Sequence, residues 1–202
     1  MILNSLLMRK KRNELTQQEW KTLIVWDPSK YKSNNLPINV IDWFNVIWYC
    51  NILSISENLD PSYNVRGETD PEKWTDTFSP ECDWDENGYR LPTESEWEYA
   101  GRGGVKSKNK YLFSGSNDIE KVGWVSTNSE GKPHPVGKKK SNEMGIFDIT
   151  GNIYKWCWDF YDEDYSKKGV KNNPHGPQAG YYRMDISSGY WFTGGVISQI
   201  PD

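Results

Sequence analysis

Three stretches in the first hundred residues place apolar residues at helical spacing directly after a polar cap. The first follows TQQE at 16–19, a capping box in which the Thr hydroxyl accepts from the third amide and the Glu reaches back. The second follows Asp42, a favourable N-cap, and its apolar face runs to about Ser56. The third follows TESE at 93–96 and ends near Gly103 and Gly104, since glycine adopts positive φ at little cost. These patterns predict three helices.

Short aromatic segments separated by glycines follow in the second half of the chain. They predict brief strands at 111–113, 122–125, 146–149 and 154–158. Residues 58–88 are rich in Asp, Pro, Ser and Thr and predict loops with one or two short strands. In the last predicted strand, alternation places Cys157 on the face opposite to Trp156 and Trp158. Helices early and short antiparallel strands late indicate the α+β class.

Composition narrows the possible partners. Aromatic residues make up 14% of the 202 residues, with 11 Trp, which excludes global disorder. The net charge of −4 is too small to attract nucleic acid. The basic run at 138–140 is interpreted as solvated surface, and the run at 9–12 as a disordered tail. No apolar run is long enough for a membrane segment, and no signal peptide is recognisable. As written, the chain is expected in the cytoplasm, and its three widely spaced cysteines agree with that.

Four ordered blocks carry a family resemblance. They are ELTQQEW at 14–20, LPINVIDW at 36–43, YRLPTESEWEYAGRGG at 89–104 and NEMGIFDITGNIYKW at 142–156. Together they resemble the formylglycine-generating enzyme (sulfatase-modifying factor) family, whose members are often exported. The resemblance implies a C-type-lectin-like α+β fold of low regular structure. It assigns 14–192 to a single domain truncated at both ends, with non-matching tails at 1–13 and 193–202.

The family's copper chemistry is not expected in this chain. The resemblance implies that the enzymes bind copper(I) through two cysteines that follow an RGGSW block, and soft thiolates suit that ion. Here the last cysteine is Cys157, and the block reads RMDISSGYWF at 183–192. We therefore predict no catalytic residue, no copper and no formylglycine-generating activity. The alternative is a copper-dependent oxidoreductase that acts on a sulfatase cysteine.

The resemblance also implies a calcium site in the block at 142–156, which is the family's second signature. Carried over, its ligands are Asp148, Gly151 and Ile153, while Lys155 stands where the family has Glu. Calcium binding depends on carboxylate oxygens, and this replacement changes the local charge by two units. Two interpretations stay open. One is a retained calcium site, and the other is a metal-free tight turn in which Lys155 neutralises Asp148.

The remaining candidate functional residues are the cysteines, an acidic run and several tryptophans. Cys50 and Cys157 are predicted to be buried, Cys82 to be exposed, and the acidic run 159–164 to be a solvated loop. The rings left over from the family core are candidates for exposed stacking: Trp74, Trp84, Trp124 and Trp191. Because the fold also carries non-catalytic, variable ligand-binding members, we predict a module that binds an unknown protein or small ligand on its loop-rich face. A degenerate fragment of such a module is the other interpretation.

Overall fold

The helices begin at the caps that the sequence predicts. In the computed structural model, which describes residues 12–75, 80–165 and 173–186, α1 spans Gln17–Lys21, α2 spans Trp43–Ser56 and α3 spans Glu94–Gly101. Each N-cap side chain accepts from the third backbone amide, and each helix has a complete capping box. The three predicted helices are confirmed.

Shorter elements connect these helices. A single turn, α4, spans Ile119–Val122, and two 3₁₀ turns span Pro71–Lys73 and Gly104–Lys106. Gly103 precedes the second of these turns with a φ of 88°. This left-handed conformation ends α3 as predicted from the glycine pair.

The described strands pair into three two-stranded sheets. In the first, β1 (Tyr63–Asn64) pairs antiparallel with β2 (Glu81–Cys82). In the second, β3 (Gly123–Trp124) pairs parallel with β4 (Thr150–Gly151). In the third, β5 (Lys155–Phe160) pairs antiparallel with β6 (Arg183–Ile186). This mixture of helices and very short strands confirms the predicted α+β class.

Two predicted strands and one predicted pairing differ from the structure. Residues 146–149 are not a strand, because Asp148 has a φ of 58°, which an extended ladder does not accommodate. The 111–113 segment has only one isolated bridge, between Phe113 and Ser116. The pairing of β3 with β4 is parallel, whereas antiparallel pairs were expected among the late strands.

The larger of two hydrophobic clusters surrounds α2. Trp20 stacks on Tyr49 with ring centroids 5.0 Å apart, and Tyr63 stacks on Trp158 at 5.2 Å. Such offset ring pairs add to the stabilisation from burial itself. The buried members are Leu15, Trp20, Ile24, Ile38, Trp43, Val46, Ile47, Tyr49, Cys50, Tyr63, Tyr89 and Leu91.

The second cluster is separated from the first by β5. Its buried members are Trp97, Ala100, Ile146, Ile149 and Cys157. Along β5, burial alternates, so Cys157 faces this cluster while Trp156 and Trp158 pack against the larger one. The predicted opposition of Cys157 to its two neighbours is confirmed. One strand thus forms a wall of both cores.

Asn142 joins the second signature to α3. Its Nδ2 donates to the carbonyl of Ala100 at 2.7 Å and to Ser114 Oγ at 3.1 Å. Its Oδ1 accepts from the amides of Met144 at 3.0 Å and Ile146 at 3.1 Å. Asn142 is only 5% exposed, so water cannot replace these four bonds.

Asn142→Ala is expected to lower the free energy of unfolding by roughly 3 kcal/mol, because buried donors and acceptors lose their partner. Denaturant unfolding followed by tryptophan fluorescence measures the change. Asn109→Ala is the matched control, since Asn109 is exposed and should lose little. Equal midpoints for the two variants would contradict the assignment of Asn142 as a structural hub.

Candidate functional site

The second signature folds into a tight turn with three left-handed residues. Asp148, Gly151 and Asn152 have φ values of 58°, 79° and 65°. A Cβ at Gly151 would collide with the carbonyl of Trp124, so only glycine fits there. The amide of Asn152 donates to the same carbonyl at 2.7 Å. The turn therefore binds closely to β3.

A buried ion pair closes this turn. Lys155 Nζ lies 2.8 Å from Glu14 Oε1, and both side chains are 0% exposed. The same ammonium donates to the carbonyl of Gly151. Because water is excluded, this pair is stable only with its hydrogen bonds complete.

Glu14 also binds the turn through its other contacts. Its Oε2 accepts from Asn152 Nδ2 at 2.6 Å, and its Oε1 accepts from the amide of Ile153 at 3.3 Å. Asn152 in turn accepts from the amide of His134 at 2.9 Å. Sequence reasoning used Glu14 only as the first residue of a family block and missed this role. The signal was present, since the same resemblance that placed Lys155 at the expected Glu also aligned Glu14.

Asp148 lies beside this pair but does not share it. Its Oδ2 accepts from the amide of Gly137 at 2.8 Å, and its Oδ1 is buried without a partner among the described residues. Burial, and then the charge of Glu14, raise the pKa of Asp148 to about 7. The ion-pair partner of Lys155 is thus Glu14, and the charge of Lys155 also acts on Asp148, where it offsets part of the rise in pKa.

The arrangement does not fit a bound calcium ion. Calcium takes six to eight oxygen ligands. Of the predicted ligands, Gly151 already gives its carbonyl to the Lys155 ammonium, and a second cation there would be repelled. Among the described residues, no group of three or more His, Cys, Asp or Glu side chains could hold a metal. Calcium at Asp148, Gly151 and Ile153 stays a prediction, and the geometry favours the tight turn.

Two further carboxylates meet at the start of α3. Asp159 Oδ2 accepts from the amide of Glu94 at 2.7 Å, and Asp159 is only 3% exposed. Its assignment to a solvated loop is wrong, whereas Glu163 and Asp164 of the same run are exposed. Burial raises the pKa of Asp159 to about 6. Burial, and then the charge of Asp159, raise the pKa of Glu94 to about 7.

Two of the predicted stacking rings already stack on the protein's own side chains. Trp84 stacks on His175, with ring centroids 3.7 Å apart, and Trp124 stacks on His134 at 3.8 Å. Trp74 Nε1 donates to the carbonyl of Glu68. These three tryptophans are half-buried, and Trp191 lies outside the described residues. Trp84 and Trp124 therefore each have one ring face covered by a histidine.

Three exposed tyrosines lie instead just after the end of β5 and just before the start of β6. Tyr161, Tyr181 and Tyr182 are 53%, 99% and 76% exposed, and the amide of Tyr161 donates to the carbonyl of Tyr182 at 2.8 Å. We call these three residues the tyrosine patch. Sequence reasoning missed it, although the YY doublet at 181–182 was a signal.

Arg183 anchors the start of β6, directly after Tyr182. Its guanidinium carbon lies 3.7 Å from the Phe160 ring centroid and 3.9 Å from that of Trp43. One guanidinium nitrogen donates to the carbonyl of Trp158 at 2.6 Å. Burial lowers the pKa of Arg183 to about 10. The first residue of β6 is therefore fixed against both β5 and α2.

Comparison with known proteins identifies the family. Residues 7–198 match the model of the sulfatase-modifying factor enzyme 1-like domain. The chain belongs to that family. The structure of Treponema denticola variable protein 1 is similar, with a TM-score of 0.80 and 30% identity over 93% of this chain and 73% of that one. The resemblance and the predicted C-type-lectin-like fold are both confirmed.

Two curated relatives show how widely the family varies. The chaperone protein LppX of Paenibacillus barcinonensis is 39% identical over 73% of this chain and 60% of its own length. The formylglycine-generating enzyme of Streptomyces coelicolor is 32% identical over 48% of this chain and 34% of its own length. The chain thus spans less than two thirds of either relative. Similarity to this family therefore does not by itself assign an activity.

None of the three cysteines follows the block after which the resemblance implies a copper site. Cys50 and Cys157 are 0% exposed as predicted, while Cys82, predicted to be exposed, is half-buried. All three are free, and burial raises each thiol pKa, to about 12 for Cys82. The thiolate is the form that binds a metal, and burial disfavours that form at these positions.

No helix among the described residues has the length and hydropathy needed to span a membrane.

The carboxylate pair at α3 predicts a pH-dependent stability. Because folding raises the pKa of Glu94, its contribution to the free energy of unfolding is fully present below about pH 4.5 and is lost as the pH rises through about 7. Glu94→Gln removes this contribution to the pH dependence. At about pH 8 the free energy of unfolding of the variant should exceed that of the parent by roughly 1 kcal/mol, since Glu94 is partly exposed and solvent screens its charge.

Urea midpoints at about pH 5 and about pH 8 measure this difference. Glu86→Gln is the matched control, because Glu86 is exposed and should leave the profile unchanged. The prediction fails if the urea midpoint of the parent changes between the two pH values by the same amount as that of Glu94→Gln. Folding would then not raise the pKa of Glu94.

Proposed function

We propose that this chain is a non-catalytic member of its family that binds a protein partner. The proposal that the chain is non-catalytic rests on the position and the burial of its cysteines. No cysteine follows Cys157 in the sequence, so the block at 183–192 and the residues after it offer no thiol. The cysteines that precede it are free and buried or half-buried, with raised pKa values. Free thiols also agree with the reducing compartment expected from the sequence.

The tyrosine patch supports the second half of the proposal. Tyrosine offers a large apolar ring and one polar handle at a small cost in side-chain entropy, which suits protein recognition. The patch lies just after the end of β5 and just before the start of β6, next to Arg183, whose contacts fix the first residue of β6 against β5 and α2. A rigid platform loses less entropy on binding than a mobile loop.

The similarity to LppX supports a protein as the partner. That relative is named a chaperone protein, and it matches 73% of this chain. The intact signature turn and the two filled cores favour a working module over a degenerate fragment. A small ligand is the alternative to a protein partner. Binding screens with proteins and with small molecules, each repeated on variants of the patch, separate these two alternatives.

The purified protein is expected to leave a sulfatase-type cysteine peptide unchanged when incubated in air with copper(I). Mass spectrometry detects the conversion of cysteine to formylglycine. Cys82→Ser is the matched variant, since Cys82 is the most accessible of the three thiols. Conversion by the parent above the protein-free background, abolished in Cys82→Ser, would establish the copper-dependent oxidoreductase instead.

The tyrosine patch is expected to hold an unfolded protein. The parent should suppress the light scattering of heat-unfolded malate dehydrogenase, and the triple variant Tyr161→Ser, Tyr181→Ser, Tyr182→Ser should lose this effect by several-fold. The side chains are exposed, so the variant should keep its fold.

Tyr99→Ser controls for the loss of an exposed tyrosine elsewhere, because Tyr99 is 50% exposed on α3. It should suppress scattering as well as the parent does. A parent without suppression would count against an unfolded protein as partner. A triple variant as effective as the parent would remove the patch from the proposal.

A further inference from the structure

The Lys155 ammonium places a positive charge among buried oxygen acceptors. It contacts a carboxylate oxygen of Glu14 and the carbonyl of Gly151, and Asp148 lies close enough for Lys155 to influence its charge. These acceptors come from segments that are far apart in the sequence. A cation placed among them holds the N-terminal segment against the signature turn.

We infer that Lys155 is a covalently tethered cation that replaces a divalent ion, so that this domain closes its signature turn without metal. The proposal stands apart from the proposed function. It concerns how the turn is held, whatever the module binds.

Formal charges support the replacement. With Glu14 and Asp148 ionised, Lys155 leaves the buried cluster with one net negative charge. A glutamate at 155 would add a third carboxylate, and a divalent cation would then restore the same net charge. One substitution thus exchanges an ammonium for a carboxylate and its ion, while the cluster keeps its electrostatic balance.

The surrounding contacts are already in place for either state. Glu14 is held by Asn152 Nδ2 and by the amide of Ile153, independently of Lys155. The Gly151 carbonyl is fixed by the pairing of β4 with β3. Removal of the ammonium would therefore leave preorganised oxygens, and Asp148 Oδ1, which has no partner among the described residues, would add another.

The two cations exclude each other. A divalent ion bound at the Gly151 carbonyl would lie beside the Lys155 ammonium inside a water-free cluster, where like charges repel strongly. The parent should therefore ignore calcium, and only a variant without the ammonium should respond to it.

The test follows thermal unfolding by tryptophan fluorescence in excess calcium and in excess chelator. The parent Tm should be the same in both. Lys155→Glu should unfold at a lower temperature in chelator, and calcium should raise its Tm by several degrees, since a ligand that binds only the folded state stabilises it. Lys106→Glu makes the same charge change at an exposed position and should show no calcium response.

A second set of variants tests the ion pair without metal. Lys155→Met leaves a buried carboxylate without its counter-charge and should lower the Tm by about 10 °C, with no rescue by calcium. The double variant Glu14→Gln, Lys155→Met removes both charges and should recover much of that loss.

Three results would overturn the inference. They are a parent Tm that rises in calcium, a Lys155→Glu protein that is indifferent to calcium, and a double variant no more stable than Lys155→Met. If Lys155→Glu is unfolded in chelator, recovery of its native fluorescence on addition of calcium supports the inference. A failure to recover counts against it.

Discussion

Glu14 and Lys155 form an ion pair from which water is excluded, and this pair holds the N-terminal segment against the signature turn. Loss of one partner from a buried pair costs about 3–5 kcal/mol, because the other charge is left uncompensated. That amount is a large part of the stability of an ordinary domain. The pair also joins segments that are far apart in the sequence, so it acts where no local propensity could.

The position of Lys155 at the first residue of β5 extends its influence to both hydrophobic clusters. Side chains alternate along a strand, so a fixed Lys155 also fixes which face Cys157 and Trp158 take. A shift of one residue would put the tryptophans into the small cluster and the thiol into the large one. The opposite end of the strand is held by Asp159 at the start of α3, and by Arg183.

The parts of the fold that local chemistry determines were predictable from the sequence. Thr16, Asp42 and Thr93 satisfy amides three residues away, so their patterns located all three helices. The parallel pairing of β3 with β4 depends on the left-handed turn at Asp148, which hydrophobic pattern does not encode. The burial of Asp159 and the role of Glu14 likewise arise only from tertiary contacts. Residue type alone suggested a solvated acid at 159 and gave Glu14 no role.

At the signature turn a protein group stands where the family resemblance implies metal. At position 155 an ammonium supplies the positive charge. Our inference is that this side chain replaces the ion. A cation that is part of the chain cannot dissociate, so the turn would then close at any metal concentration. The tyrosine patch, next to the start of the strand that Arg183 fixes against the core, is the surface that our proposal assigns to recognition.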